Sequence, residues 1–373
     1  MAEQKQYDRP ISHETLRAFF EIHKIGERTL ETFSISPKNT CWTCLRFCKI
    51  IPSKLLNFID HQAKSIDMAL RAIKSPGSDY TLFLDTNVWN SHAGLLLSCF
   101  RRGTLLYLSM WDQQLASKSL FRRLSLRLFK YIITLRKAKI ILFECDDVHV
   151  APELRFSSSS KIIIPMPRSS NFEPCIRKRN QFRNGERLRL GVAGLIRPWK
   201  NNFDRDFLET ILSACESFGE NVEFHIGFPS WQHTPRVPDQ VKYTDTTQPG
   251  QYTAFLRHLD AMLINLPSEE YWFRSSGVVQ DALSAGTFVI ANDYPIIRSQ
   301  IMSPARVGSV YSDNASLRSA IISLPQMLNE KTAENLRVWN DFRKPAMIEE
   351  AIFQGAKAGN ALGREKESTS IGA

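Results

Sequence analysis

Two segments of the chain carry side chains suited to holding a diphosphate. The first is Gly191-Val192-Ala193-Gly194-Leu195-Ile196-Arg197-Pro198-Trp199-Lys200-Asn201-Asn202. An apolar run ends at Gly194, and two cations, Arg197 and Lys200, follow in the loop before a predicted helix. Glycine lets a ligand approach the backbone closely. Arginine offers a two-pronged donor and lysine a point charge, and both suit phosphate oxygens. The second segment runs from Phe273 to Asp293. Ser275-Ser276-Gly277 opens a helix there, and the free N–H groups and dipole of a helix start attract phosphate. Asp281, further along that helix, is placed to accept hydrogen bonds from the two hydroxyls of a ribose. The plainer reading of the same residues is a solvated basic loop, an N-cap serine and a surface aspartate.

Other groups have chemically useful types. Asp85 follows a predicted strand and is a candidate for lining a cleft, or else a turn residue. His92 and His149 also follow strands of the first half, and either suits a general base by type. Asp146 and Asp147 end another strand and read as a solvated turn. Asp204-Arg205-Asp206 has the form of a metal motif, but no strand precedes it, and acids suit the first turn of a helix. Cys41, Cys44 and Cys48 have the spacing of three metal ligands without a nearby fourth, and their apolar neighbours make them buried thiols. No metal site is expected.

The elements that position these groups come from the apolar runs. Strands are predicted at 81–84, 105–108, 140–143 and 162–164, then at 188–193, 222–226, 261–265, 288–290 and 307–310. Continuous rather than alternating apolar runs suit strands covered on both faces. Helices at about 203–217, 251–259, 276–285 and 315–328 alternate with the second set, the pattern of a parallel α/β sheet. The expected organisation is a mostly helical section over 1–80, a Rossmann-like domain over 81–167, a polar linker over 168–187, a second Rossmann-like domain over 188–354 and a flexible tail over 355–373. Ligands of such sheets bind at the C-terminal ends of the strands.

Composition sets outer limits. The 373 residues are 43% hydrophobic and 23% charged, which excludes a largely disordered chain. No apolar run approaches the ~20 residues of a membrane span. The start of the chain lacks the apolar core of a signal peptide, so a cytoplasmic protein is expected. Net charge is +10, from 48 Lys and Arg against 38 Asp and Glu, which favours an anionic partner. Seven cysteines, an odd number, do not form a disulfide framework. The stretch 118–139 interleaves Lys118, Arg122, Arg123, Arg127, Lys130, Arg136, Lys137 and Lys139 with Leu120, Leu124, Leu128, Phe129, Ile132 and Ile133. Such a helix either lies on an anionic membrane or turns its apolar face to the core. Nucleic-acid signatures are absent, so no nucleic-acid partner is expected.

In order along the chain, Ile196-Arg197-Pro198-Trp199-Lys200-Asn201 and the segment Ser276-Gly277-Val278-Val279-Gln280-Asp281-Ala282-Leu283-Ser284-Ala285-Gly286-Thr287-Phe288-Val289-Ile290-Ala291 resemble the donor-binding half of GT-B glycosyltransferases of the family 1/family 4 superfamily. The resemblance covers about 188–330 and is weaker over 81–165. It implies two Rossmann-like domains facing across a cleft. It also implies a metal-free transfer of sugar from a nucleotide-sugar donor to a glycan, lipid-linked or other hydroxyl acceptor, with retention at the anomeric carbon. Surface polysaccharide or glycoconjugate synthesis would be the setting, with no cofactor beyond the donor substrate. By resemblance, Arg197 and Lys200 hold the diphosphate, Ser276 and Gly277 add backbone N–H contacts, and Asp281 holds the ribose. Gly194, Ser275 and the stretch Asn265-Leu266-Pro267-Ser268 line the same pocket. Where relatives place the first acid of a Glu-x7-Glu pattern this chain has Phe273, with Glu269 and Glu270 just upstream as substitutes. Where relatives carry a histidine after an N-domain strand it has Trp111, followed by Asp112. Asp112, His92 and Asp85 are therefore the catalytic candidates. The alternative function is a non-catalytic nucleotide-sugar or glycan-binding protein of the same fold.

Overall fold

The computed structural model describes residues 24–25, 28–33, 53–74, 80–83, 88–108, 120–168, 187–194, 203–230, 241–248 and 250–356. Of these, 24–33, 53–61, 64, 88–92, 121 and 122 are described by backbone alone. The described chain forms two compact units, one of residues up to Ile164 together with those from Ile348 onward, the other spanning Pro165–Met347.

The first unit holds a six-stranded sheet in the order β1-β2-β3-β4-β5-β6. These strands are β1 (Lys24–Ile25), β2 (Arg28–Phe33), β3 (Tyr80–Phe83), β4 (Thr104–Leu108), β5 (Lys139–Phe143) and β6 (Lys161–Ile164). β1 pairs antiparallel with β2, and every later pairing is parallel. The connecting helices are α1 (Ser53–Lys74), α2 (Val88–Ser98) and α3 (Leu120–Leu135). Right-handed crossovers between successive neighbours place them in one layer. Accordingly, α1 and α2 pack so closely that a Cβ on Gly94 would lie 2.2 Å from the Ser65 carbonyl oxygen. β1 and β2 correct the expectation of a mostly helical section over 1–80. As an edge pair rich in polar residues they lack the apolar run that marks an inner strand.

The second unit holds a sheet in the order β12-β11-β10-β7-β8-β9, parallel throughout. Its strands are β7 (Leu188–Ala193), β8 (Val222–Phe228), β9 (Val241–Asp245), β10 (Ala261–Ile264), β11 (Phe288–Asn292) and β12 (Gly308–Tyr311). Between them run α4 (Arg205–Glu216), α5 (Gln251–His258), α6 (Ser268–Tyr271), α7 (Gly277–Ser284) and α8 (Pro295–Met302), and α9 (Asn314–Ile322), α10 (Leu324–Met327) and α11 (Glu330–Phe342) follow. Both faces of this sheet are covered. Leu190, Val192, Leu263 and Ile290 enter the core on one side, and Met262, Ile264, Val289 and Ala291 the core on the other. That two-sided burial is why β10 and Phe288–Ala291 of β11 are apolar without a break. β9 is an edge strand of which Val241 alone is buried, so it lacked that signal.

A final helix over 345–356 corrects the expected end of the second domain at 354. Ile348, Ile352 and Ala356, four residues apart, are fully buried. Phe353 meets Tyr80 edge-on at 6.4 Å, and a Cβ on Gly355 would lie 2.8 Å from Ile162 Cγ2. The chain thus returns to the first unit. Among the described residues no helix is long and apolar enough to cross a membrane.

Candidate functional site

The strand order of the second sheet reverses between β7 and β10. β8 and β9 build outward from one side of β7, whereas β10, β11 and β12 build from the other. Loops leaving the carboxyl ends of β7 and β10 therefore diverge, and the crevice between them is where open α/β sheets bind ligands. Gly194 ends β7 with φ of 122°, a backbone region that favours glycine, and its N–H donates to Gly227 O at 3.1 Å. Arg197 and Lys200 follow it and lie outside the described residues.

The loop after β10 is held by Asn292, the last residue of β11, and by Tyr294 just beyond it. Asn292 Oδ1 accepts from Leu266 N–H at 2.6 Å, and its Nδ2 donates to Asn265 Oδ1 at 3.2 Å. Tyr294 OH donates to Leu266 O at 2.8 Å. These two residues fix the stretch 265–268 and were not singled out from the sequence. Asn292 follows the apolar run Phe288–Ala291, so a polar residue leaving a strand at this end of the sheet was the available signal.

Ser276 is the N-cap of α7, and its Oγ accepts from Val279 N–H at 3.4 Å. It is 1% exposed. Its own N–H donates to Gln300 Oε1 at 3.1 Å, and Gln300 Nε2 donates to its carbonyl at 3.0 Å. This corrects the expected role of Ser276, because its backbone N–H is already taken. The next two donors, on Gly277 and Val278, have no partner among the described residues. A Cβ built on Gly277 would meet nothing within 4 Å, so there is room beside the first residue of the helix. Unpaired N–H groups at a helix start are suited to an anion. Asp281 is half-exposed and one turn along α7 from Gly277, on the same face. Ser275 is half-exposed beside the cap, and Glu270 is half-exposed on α6. The structure thus gathers Gly194, the 265–268 loop, Glu270, Ser275, Gly277 and Asp281 at one end of one sheet.

The candidates of the first unit fare differently. Asp85, Trp111 and Asp112 lie outside the described residues, and His92 is described by its backbone on α2 alone. His149 sits in a short 3-10 turn, Asp147–His149, where burial holds its pKa below the usual histidine value. Asp146 and Asp147 are not a solvated turn. Lys161 Nζ donates to Asp146 Oδ1 at 2.5 Å and to Asp147 Oδ1 at 2.7 Å, and Asp147 is 2% exposed. Asp204 caps α4 by accepting from Phe207 N–H at 3.4 Å, the helix-start role its type suits. The Cys41, Cys44 and Cys48 cluster lies outside the described residues.

The basic stretch 118–139 divides between fold and surface. Lys130 donates to Glu153 O at 3.0 Å, Arg136 to Arg101 O at 2.6 Å, and Lys139 to Ser159 O. Leu126, Phe129, Ile132 and Ile133 of α3 are buried. Leu120, Leu124, Leu128, Tyr131 and Leu135 are exposed, and at 100° per residue they share an arc of about 80°. Arg123 and Arg127, also exposed, run along one edge of that ridge.

No protein-family model matches the sequence, and a search of curated proteins finds no match. The fold does have relatives. Trehalose-6-phosphate synthase OtsA superposes with a TM-score of 0.58 at 7% identity, over 93% of this chain and 84% of that one. Sucrose-phosphate synthase from Thermosynechococcus elongatus gives 0.53 at 14% identity, over 90% and 83%. Anabaena Alr3699/HepE, solved in complex with UDP-glucose, gives 0.53 at 11% identity, over 80% and 82%. With two parallel sheets flanked by helices and these neighbours, the chain has the GT-B fold of glycosyltransferases.

Proposed function

We propose that the protein is a glycosyltransferase that moves a sugar from a nucleotide-sugar donor to a hydroxyl acceptor. The observation that carries this reading is the start of α7, where the Gly277 and Val278 N–H groups have no partner among the described residues, beside the reversal point of the sheet. The second unit holds the donor. Arg197, Lys200 and the α7 start bind its two phosphates, and Asp281 binds the ribose. In the transfer step the bond from the anomeric carbon to the departing phosphate oxygen breaks, the acceptor hydroxyl oxygen takes its place, and the hydroxyl proton passes to the departing diphosphate. The charge that develops on the diphosphate is met by fixed cations and backbone dipoles, and this needs no metal ion. Retention at the anomeric carbon and a hexosyl donor follow from the sequence resemblance. The first unit supplies the acceptor site, with Asp112, His92 and Asp85 as its catalytic candidates.

A screen of nucleotide sugars by thermal shift and by donor hydrolysis tests this reading. Replacing Arg197 or Lys200 with Ala should weaken nucleoside diphosphate binding by about 1.5–3 kcal/mol, the scale of a charge-assisted hydrogen bond. Unchanged affinity in both folded variants would remove the donor site. A second reading, a non-catalytic binder of the same ligands, is favoured by Phe273 in an acidic position of the superfamily pattern. Nucleotide-sugar binding with no release of free sugar would select it.

The acceptor in this reading is lipid-linked, and the enzyme works at the inner face of an anionic membrane. The exposed ridge of α3 with Arg123 and Arg127 along its edge supports that placement, since apolar side chains enter the interface while cations meet headgroups. Sedimentation with anionic liposomes should fall as salt rises. Reversing Arg123 and Arg127 to Glu should lower partitioning at least about 30-fold, at ~1 kcal/mol for each cation near the surface. Wild-type protein that ignores anionic liposomes at low salt would leave a soluble acceptor.

A further inference from the structure

At the far end of the second sheet from Gly194 and α7, three potential metal ligands converge. Glu223 and His225 lie on one face of β8, since residues i and i+2 share a face. The next residue on that face is Gly227, where a Cβ would meet Phe255 Cε1 of α5 at 2.8 Å. α5 therefore covers this face, and it ends at His258. The rings of His225 and His258 meet edge-on with centroids 5.1 Å apart. The ligating atoms of Glu223, His225 and His258 all lie within 4.8 Å of one another.

The Glu223–His225 spacing suits one ion. Glu223 Oε2 and His225 Nε2 are 3.3 Å apart. Two donors each about 2.0–2.1 Å from a tetrahedral zinc stand about 3.3–3.4 Å apart. Glu223 Oε1 is occupied separately, by Lys242 Nζ at 2.7 Å and Arg187 Nη1 at 3.4 Å. Those contacts orient the carboxylate and leave Oε2 toward the histidines, the usual task of groups around a metal site. A hydrogen-bonded Glu–His pair requires no third donor converging on the same point.

We propose that Glu223, His225 and His258 bind one zinc-class divalent cation, with the fourth position left to water, and that this ion ties the end of α5 to β8. The role is structural, and nucleotide binding at the other end of the sheet does not depend on it.

The test uses the full chain, stripped with chelator and titrated with zinc chloride. One equivalent should bind and raise the melting temperature by about 5–10 °C at a hundredfold excess over Kd. His258→Gln and Glu223→Gln, each shown to fold by its own melting transition, should each weaken zinc at least about 100-fold, since even outer-shell changes cost 10- to 100-fold. Cobalt(II) in place of zinc should show no thiolate-to-metal charge-transfer band. Nucleoside diphosphate affinity should be the same with and without chelator. The proposal is overturned by the absence of stoichiometric binding or by undiminished binding in both variants. A thiolate band would overturn it too, by placing the ion on cysteines such as Cys41, Cys44 and Cys48.

Discussion

Replacing Gln300 with Leu should lower the melting temperature and weaken nucleoside diphosphate binding together, although Gln300 is fully buried and its side chain holds the cap rather than the ligand. Its amide meets the Ser276 backbone at both ends, accepting from the N–H and donating to the carbonyl. The same Nε2 donates to Gln280 Oε1 at 3.2 Å. Gln280 in turn donates to Met166 O at 3.0 Å, an oxygen that Arg343 Nη1 also reaches at 3.2 Å. Arg343 lies over the Trp339 ring at 4.3 Å, and Trp339 Nε1 donates to Gln300 O at 2.8 Å. The start of α7 thus hangs on a buried polar network whose centre is one side chain. Leucine nearly matches glutamine in volume but strands the Ser276 N–H and Gln280 Oε1. Each orphaned buried group costs about 1–3 kcal/mol, so a loss of about 2–6 kcal/mol is expected. For a unit of this size that is a fall of roughly 4–24 °C. The Gly277 and Val278 donors then lose their fixed aim, and a misplacement of about 1 Å in such a site can cost up to 100-fold. Gln300→Glu separates the two effects, because it keeps the acceptor for Ser276 N–H and loses the donor. It should restore part of the affinity, and more of it at low pH where the carboxyl is protonated. A Gln300→Leu variant with wild-type nucleotide affinity would show that the cap holds itself.

Gln300 lies beyond what local pattern reveals. The segment Ser276–Ala291 showed an N-cap, a helix and a strand, and all three are present. That the Ser276 N–H is taken from α8, 24 residues on, depends on tertiary packing. The same limit explains Asp146 and Asp147. Two adjacent acids after a strand read as a solvated turn until β6 brings Lys161 beside them. Inner strands such as Ala261–Ile264 were legible because burial on both faces demands an unbroken apolar run. The edge strands β1 and β9 were not, since an edge tolerates polar residues. On α3, helical spacing identified the element but merged two apolar faces. Phe129, Ile132 and Ile133 face the core, whereas Leu120, Leu124 and Leu128 face solvent. In the 345–356 helix the spacing of Ile348, Ile352 and Ala356 was present in the sequence, but which unit it would cover was not.

The Lys161–Asp147 pair predicts the largest loss in the first unit. Both side chains are buried, at 8% and 2% exposure. Asp147 Oδ2 also accepts from Phe156 N–H at 2.8 Å, so the carboxylate cannot swing out to water without breaking that turn. Lys161→Met keeps the aliphatic stem and removes the charge from beside the buried Asp147. Breaking a buried pair in this way costs about 3–5 kcal/mol. Two pH signatures distinguish this from lost packing. In the wild type the hydrogen bond from Lys161 holds the Asp146 pKa below its ordinary value, and Lys161 itself is raised by its two carboxylates against the opposing effect of burial. The first contribution is present above about pH 4 and fades as pH falls through the depressed value. The second is present below about pH 10 and fades as pH rises through the raised one. In the variant the Asp146 contribution goes with the lysine that makes it. The difference in unfolding free energy between wild type and Lys161→Met, measured by urea from about pH 2 to about pH 8, should therefore widen as pH rises through the depressed Asp146 value toward about 4. Adding Asp146→Asn to both proteins should flatten that dependence, and adding Asp147→Asn to the variant should recover part of the loss. A difference constant across the range would mean that the charge of Lys161 on its carboxylates contributes nothing to the loss.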